Sequence, residues 1–409
     1  MSTPSKKTLF VAFLTIFMDL LGFGIIIPIQ PAYVESFGVT PKVVTLLGAS
    51  YSIMQFLFAP FWGTLSDKIG RRPIILFSIL ISALGHFIFA WASVLPLLFA
   101  ARMLAGFGNA NIGTAQAIIA DVTTAENRSK GMALIGVAFG LGFLFGPALG
   151  GFLVQYSPQM PFIVAGCLSV ANLLFAFFML EETKSESSTP RERKLFDPGL
   201  FQEAKQFVNV REILIISLIY TTAFALMEQA ISLYIERIWV TDLNLSSEAH
   251  IEKTGLFTAY FLIVIGITAI IVQGGMIGRL TKRFGEAKLV SIGLFAIFLS
   301  MLGIPLLGDT GNYSLFLLIA IPMAFGTGVL NPAKSALLSR SIPDDQQGAF
   351  LGLNQSFSAI GRFIGPLFSG LLFEFLIGAP FYGAAALIIL AIILAKPLQQ
   401  PSIPQSASS

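Results

Sequence analysis

Charge is what this sequence most lacks. Of 409 residues, only 11% are Asp, Glu, Lys or Arg, against roughly 25% in an ordinary soluble domain. A soluble globule of this length could not cover its surface with so few charges. Cysteine is nearly absent: Cys167 stands alone, which excludes a disulfide framework or a multi-cysteine metal site. Histidine is almost as scarce, and His86 and His250 are too few for a histidine metal cluster. No GxxxxGK[ST] loop occurs, so direct ATP coupling has no support. No metal or cofactor is expected. A formal net charge of +3 is too small to imply nucleic-acid binding. What is abundant is apolar: hydrophobic residues make up 55%, and mean hydropathy is +0.81. Disordered chains have the opposite composition. The sequence is that of an all-α integral membrane protein.

A membrane helix needs roughly 20 mainly apolar residues to cross a hydrocarbon core of about 30 Å. Twelve such stretches can be read: 9–33, 44–65, 73–92, 95–121, 131–155, 162–180, 212–236, 254–278, 289–308, 314–340, 349–376 and 380–396. The first is too long for a cleaved signal peptide and carries Asp19. With both termini placed inside, nineteen basic residues fall in inner segments and three, Lys42, Arg237 and Lys253, outside. Arg102, Lys334 and Arg362 lie within spans. By the positive-inside rule, this bias predicts that both termini are cytoplasmic.

Loops are short except 181–211, which carries six acids, six bases and a Ser/Thr/Pro cluster. It reads as a cytoplasmic linker with a short surface helix over 198–207. The expected organisation is an N-terminal six-helix bundle (1–180), the linker (181–211), a C-terminal six-helix bundle (212–396) and a cytoplasmic tail (397–409).

The halves repeat. Gly142, Gly146, Pro147, Gly150 and Gly151 in span five recur as Gly361, Gly365, Pro366, Ser369 and Gly370 in span eleven, at an offset of 219. Gly106 and Gly108 are echoed by Gly326 and Gly328, and the loop Gly63–Gly70 by Gly278–Gly285. Parallel repeats of this kind place a substrate site near the midplane between two bundles.

With Gly63, Asp67, Gly70, Arg71, Arg72 and Pro73 in one short loop, the chain resembles the major facilitator superfamily. Within it, the chain is similar to the twelve-helix bacterial drug:proton antiporters, which include the tetracycline and multidrug exporters. The GxxxGPxxGG of span five is the more discriminating signature, since in that superfamily it marks antiporters. The resemblance implies that Asp67 holds the start of span eleven and that Arg71 pairs with Asp121 at the inner end of span four. Such an inter-bundle latch would favour the outward-open state. The counterpart loop has Lys282 in place of the acid, so the latch is expected to be one-sided. Span five, nearly bare through Gly136, Gly140, Gly142, Gly146, Gly150 and Gly151 and bent by Pro147, is expected to seal the bundles against proton leakage.

Charges inside spans are costly and usually line a cavity. Counting 1.5 Å per residue, Asp19 lies roughly 15 Å from the inner face and Arg102 about 20 Å. Those depths are compatible with a direct or water-bridged pair. Glu228 and Arg362 also come out near 20 Å and would be the matching pair of the second bundle. By resemblance, Asp19 matches a span-one acid of the exporters and Arg102 their span-four arginine. A buried carboxylate beside an arginine is pulled both ways, by desolvation and by charge, and suits proton coupling. The tetracycline exporters also carry acids where this chain has Gly85 and Ile297, and a histidine at Ala269. His86 reads as a packing residue.

The expected function is proton-coupled efflux of small amphiphilic compounds or drugs across the inner membrane, with antibiotic resistance as its outcome. The expected partners are the substrate, protons and the lipid bilayer, with no nucleic acid, and the unit of function is a monomer. The alternative is a carrier of a metabolite, such as a sugar or organic acid, or of a lipid-like substrate. No nucleophile–base cluster supports an enzyme, and no extramembrane ligand domain supports a receptor.

Overall fold

The computed structural model describes residues 6–123, 128–183, 202–242, 244–342 and 347–398, and among them every regular element is helical. Each of the twelve apolar stretches carries helix. In chain order these are α1 (Lys6–Ile26) with the short α2 (Gln30–Glu35), α3 (Pro41–Ile69), α4 (Arg71–Ala90), α5 (Leu95–Gly108) with α6 (Ile112–Asp121), α7 (Arg128–Leu153) and α8 (Met160–Met179). There follow α9 (Val210–Trp239), α10 (Ser247–Ile271) with α11 (Ile277–Phe284), α12 (Glu286–Gly308), α13 (Tyr313–Leu317) with α14 (Ala320–Arg340), α15 (Gln347–Phe375) and α16 (Ala379–Ala395).

Among the described residues, nine stretches are long and apolar enough to cross a membrane. The fourth stretch is interrupted by a 3-10 turn at Asn109–Asn111. The fifth and twelfth contribute the shorter apolar helices Gly140–Leu153 and Ala379–Ala395. A π-turn at Val272–Met276, around Gly274-Gly275, interrupts the eighth, a frequent device where a helix must shift its face.

Most of the 181–211 linker (184–201), including the first part of the surface helix expected over 198–207, lies outside the described residues. So do both chain ends.

The chain gathers into two compact units. One comprises Met1–Leu195, Glu228–Ile267 and Pro366–Ile377; the other comprises Phe196–Met227, Thr268–Gly365 and Gly378–Ser409. These units are not the halves of the chain, because parts of α9, α10 and α15 pack with the first.

In the first unit α1 lies along α7, and the glycines explain why. A β-carbon at Gly146 would lie 2.6 Å from Gly24 Cα, one at Gly24 2.6 Å from the Gly142 carbonyl oxygen, and one at Gly150 2.2 Å from the Ile25 carbonyl oxygen. No side chain fits at any of these points. Backbone therefore meets backbone, which is how membrane helices associate where hydrocarbon offers no hydrophobic driving force. Gly151 faces elsewhere, towards Ala259 of α10 at 2.6 Å. Among the described glycines of this face, Gly142, Gly146 and Gly150 thus form a groove for α1, and Gly151 looks towards α10.

The second unit repeats this join. Gly361 and Gly365 of α15 meet α9, where β-carbons would come within 2.7 Å of the Leu218 carbonyl oxygen and 2.5 Å of Ala225 Cβ. α12 lies along α14, with Gly293 and Gly326 in mutual backbone contact, and along α16. The two repeat loops also match: Gly70 (φ +110°) separates α3 from α4, and Gly285 (φ +73°) separates α11 from α12. Both occupy backbone conformations that glycine adopts without strain. The offset of about 219 residues is therefore a repeat of packing as well as of letters.

Candidate functional site

Asp19 sits two-thirds of the way along α1, half-buried. Asn172 of α8 donates to it from Nδ2 at 3.0 Å and to the Thr15 carbonyl at 3.1 Å. Asn111, presented by the 3-10 turn between α5 and α6, is its second hydrogen-bonding neighbour and itself donates to Ser78 Oγ at 2.6 Å. The carboxylate is thus held by amides, and Arg102 is not among its partners. Depth along the sequence is correct for an Asp19–Arg102 pair. Rotation about each helix, which depth does not specify, turns the two side chains to different neighbours.

Arg102 is buried at 6% exposure. Gly106, one turn further along α5, lets that helix approach α3 so closely that a β-carbon would lie 2.4 Å from the Tyr51 carbonyl oxygen. The guanidinium consequently lies over the Tyr51 ring, 4.6 Å from its centroid, a favourable cation–π contact when desolvated. The negative charge of Glu228 acts on it, and both line one small cavity with Phe23, Ile26, Ile27, Gln30, Pro31 and Gln229. At about 30 Å³ that space holds a water. Arg102 Nε has no hydrogen-bond partner among the described residues.

Glu228 and Arg362 fall in separate units, so each is described with its own neighbours. Arg362 of α15 is exposed and shares its surroundings with Lys334 of α14, whose charge it opposes.

At the Gly70 corner, Arg71 binds three side chains. Its Nη1 donates to Asp67 and, at 2.7 Å, to Ser66 Oγ, and its Nε donates to Asp121 at 3.2 Å. The expected Arg71–Asp121 pair is present. The backbone N–H groups of Arg71 and Arg72 donate to the two carboxylate oxygens of Glu182, at 2.8 and 3.1 Å. Glu182 thereby caps the N-terminus of α4, where orphan donors and the helix dipole favour an anion. A β-carbon at Gly70 would strike that carboxylate at 2.4 Å, a second reason for glycine here. Gly63 accepts from Ser66 Oγ at 2.8 Å, and Arg72 reaches the Phe177 carbonyl at 2.6 Å. The side chains of residues 347–349, at the start of span eleven where Asp67 is expected to bind, lie outside those described.

The second repeat has an ion pair at its own corner. Lys282 is exposed, but Arg340 at the end of α14 pairs with Glu286 at the start of α12, at 3.2 Å. These are the repeat equivalents of Asp121 and Arg71, with the signs exchanged.

Comparison with known proteins agrees with this architecture. The profile described as Major Facilitator Superfamily matches residues 12–366 and 310–409. The chain belongs to the major facilitator superfamily. Among its relatives in that superfamily, the tetracycline resistance protein, class C, of Escherichia coli is 31% identical over 366 residues, covering 89% of each chain. The quinolone resistance protein NorA of Staphylococcus aureus is 27% identical over 391 residues, covering 95% of this chain and 96% of its own. The structure of the human organic anion transporter MFSD10 (TETRAN) superposes with a TM-score of 0.72 at 25% identity, over 97% of this chain and 100% of its own. The nucleoside transporter NupG, at 14% identity and TM-score 0.71 over 95% of this chain and 97% of its own, shares the fold.

Against that superfamily background, Gly85 is a packing residue. A β-carbon there would lie 2.9 Å from the Ala101 carbonyl oxygen and the Ala105 nitrogen, so an acid would force α4 from α5. His86 is buried, 3.4 Å from Ser169 Oγ.

Several site residues escape sequence reasoning. Asn172 is signalled only as a lone amide in an apolar span, and Glu182 reads as the start of a linker. A third ionic cluster joins α2, α9 and α10: Arg237 bonds Glu35 at 2.8 Å and Glu236 at 3.0 Å, and His250 bonds Glu236 at 2.8 Å. Glu35 lies some two hundred residues from the other three, and nothing local marks it as their partner.

Proposed function

We propose that this superfamily member is a proton-coupled antiporter that moves small amphiphilic compounds out across the inner membrane, with both termini cytoplasmic and the two repeats acting as six-helix bundles. One observation carries the reading. Asp19 is a mid-span carboxylate held by amides in place of an arginine. An amide donates to a carboxylate and accepts from a carboxylic acid, so Asp19 can gain or lose a proton without breaking an ion pair. Asn172 has the means for both, because its Nδ2 is engaged while its buried Oδ1 has no partner among the described residues. Arg102, Glu228 and their water-sized cavity supply a second charged locus.

Coupling requires that the proton bind one conformation better than the other, since equal affinity shifts nothing. The Arg71–Asp67–Asp121 corner is the element whose making and breaking would distinguish the two states. The resistance proteins named above, for tetracycline and quinolones, support drugs as substrates, and the organic anion transporter extends the range to anions. No enzymatic step is assigned, and one chain suffices as the unit of function.

The test is transport in everted membrane vesicles loaded with a fluorescent amphiphile panel. An imposed proton gradient should drive accumulation, and an uncoupler should abolish it. Accumulation that follows ATP and ignores the uncoupler would reject the proposal.

A further inference from the structure

Among the described residues, the first unit holds mid-span charges of both signs, Asp19, Arg102 and Glu228, whereas the second holds cations. Among the described residues of the second unit the carboxylates lie at helix ends or in loops, as Glu212 and Glu286 do, while the span interiors hold Lys334 and Arg362. Lys334 is 4% exposed. Its ammonium lies over the face of Tyr220, 5.3 Å from the ring centroid, and the Tyr220 hydroxyl is joined to Asn331 Nδ2 at 3.4 Å. The other charge acting on Lys334 is the like charge of Arg362. The next acid along α9, Glu228, is eight residues beyond Tyr220, about 12 Å along the axis, and lines the Arg102 cavity.

A buried ammonium without a carboxylate beside it is strongly unfavourable, and a second cation makes it more so. Intramembrane charges kept at such cost usually mark a ligand path. Asn331 and Arg362 are both exposed in the middle of their helices, where facing hydrocarbon would be costly, so a water-borne ligand can reach them. An aromatic face, an amide and two basic side chains together form a receptor for an anion on an aromatic body. Charge-assisted hydrogen bonds from lysine and arginine would hold the anion, and Tyr220 would hold the ring.

We infer that Lys334 and Arg362, with Tyr220 and Asn331, form a binding site for the carboxylate or sulfonate group of an amphiphilic substrate. The site rests on the transporter reading above and narrows its substrate class to compounds carrying an anionic group.

The full chain in nanodiscs, with empty discs as blank, would be titrated with 1-pyrenebutyrate and with its methyl ester, which share a ring system and differ in charge. The acid is expected to bind about tenfold more tightly than the ester, the gain of one charge-assisted contact. Lys334→Gln should erase that preference while leaving the ester's affinity as it was, and Lys334→Arg should keep most of it. Should Lys334→Gln fail to reach the membrane, Arg362→Gln, at an exposed position, must weaken the acid selectively. Equal affinity for acid and ester in the wild type, or a preference that survives both neutral variants, overturns the site. Proton-driven transport of a cation such as ethidium, measured in everted vesicles, separates the two readings. Coupled ethidium transport without acid preference removes only the site, whereas acid preference without coupled transport of any compound removes only the antiport.

Discussion

The two corners of the repeat share a backbone and exchange their charges. In the first, Arg71 follows a positive-φ glycine and bonds Asp121 at the end of the neighbouring stretch; in the second, Glu286 follows a positive-φ glycine and bonds Arg340. The mid-span groups diverge as well, with the carboxyl of Asp19 in the first unit and the cations Lys334 and Arg362 in the second. Glycine positions and helix pairings are common to both, because close backbone approach tolerates no substitute. Charge is free to differ, since an ion pair reads the same with its signs exchanged. Geometry is therefore what the repeat preserves, and charge is where the two halves take up different work.

The largest break in the comparison should come at Asp19. Asp19→Asn retains the hydrogen-bonding shape and fixes the neutral state, so proton-driven uphill efflux should disappear while downhill exchange of substrate persists. Substrate-induced proton release by the purified protein should vanish with it. Wild-type accumulation rates in vesicles containing Asp19→Asn would take this carboxyl out of the coupling and leave Glu228 as the acid to examine.

The corners should respond unequally although their geometry matches. Arg71 is buried and serves Asp67, Ser66 and Asp121 together. Arg71→Ala leaves buried acceptors unsatisfied, a loss on the order of 3–5 kcal/mol where a buried pair is broken. Arg340 has 55% of its side chain exposed although Glu286 is buried, and solvent at the exposed partner should hold the cost of its removal below that at Arg71. Thermal unfolding in detergent and transport rate should both rank Arg71→Ala below Arg340→Ala. Exchanging the second pair, Glu286→Arg with Arg340→Glu, should restore function. The matching exchange at Arg71 and Asp121 should not, because a glutamate at 71 would face Asp67.

The sequence makes the twelve stretches, the repeat and the Arg71–Asp121 pair legible for a common reason. Apolar length, recurring glycine patterns and charges near helix ends are all one-dimensional signals. Asp19 and Arg102 illustrate the limit. Their depths agree, yet Arg102 is turned to Tyr51 by the approach that Gly106 permits, and Asp19 is turned to Asn172. The azimuth of a side chain depends on which helices touch, and the glycines of α7 face α1 in a way that composition alone does not specify. Glu182, Glu286 and the Glu35–Arg237 pair are missed because their partners are distant in sequence.

Where geometry is the shared property, the two units should fail alike. A valine at Gly146 must enter space held by Gly24 Cα, and one at Gly365 space held by Ala225 Cβ. Overpacking of this kind costs about 1–3 kcal/mol. Gly146→Val and Gly365→Val should lower the melting temperature in detergent by similar amounts, whereas Gly140→Val, with open space around it, should be neutral. A large drop at one of the two positions and none at the other would show that the repeated glycines do not do the same job.

The smallest effect concerns the cluster of Glu35, Glu236, Arg237 and His250, which uses two acids where each corner pair uses one. Glu35 ends α2, beyond the spanning part of α1. Burial first, and the neighbouring Glu236 carboxylate second, push its pKa from the ordinary 4.5 up to about 7, against the pull of Arg237. A carboxyl whose folded pKa is raised holds its proton more tightly in the folded protein than in the unfolded chain. Its contribution to stability is therefore full below pH 4.5 and is lost as pH rises through about 7. Melting temperature in nanodiscs should fall for the wild type between pH 5 and pH 8, and Glu35→Gln, which cannot ionise, should flatten that slope. Glu35→Ala removes the Arg237 contact as well and should lower stability across the whole range. An unchanged slope in Glu35→Gln would take this carboxyl out of the pH dependence.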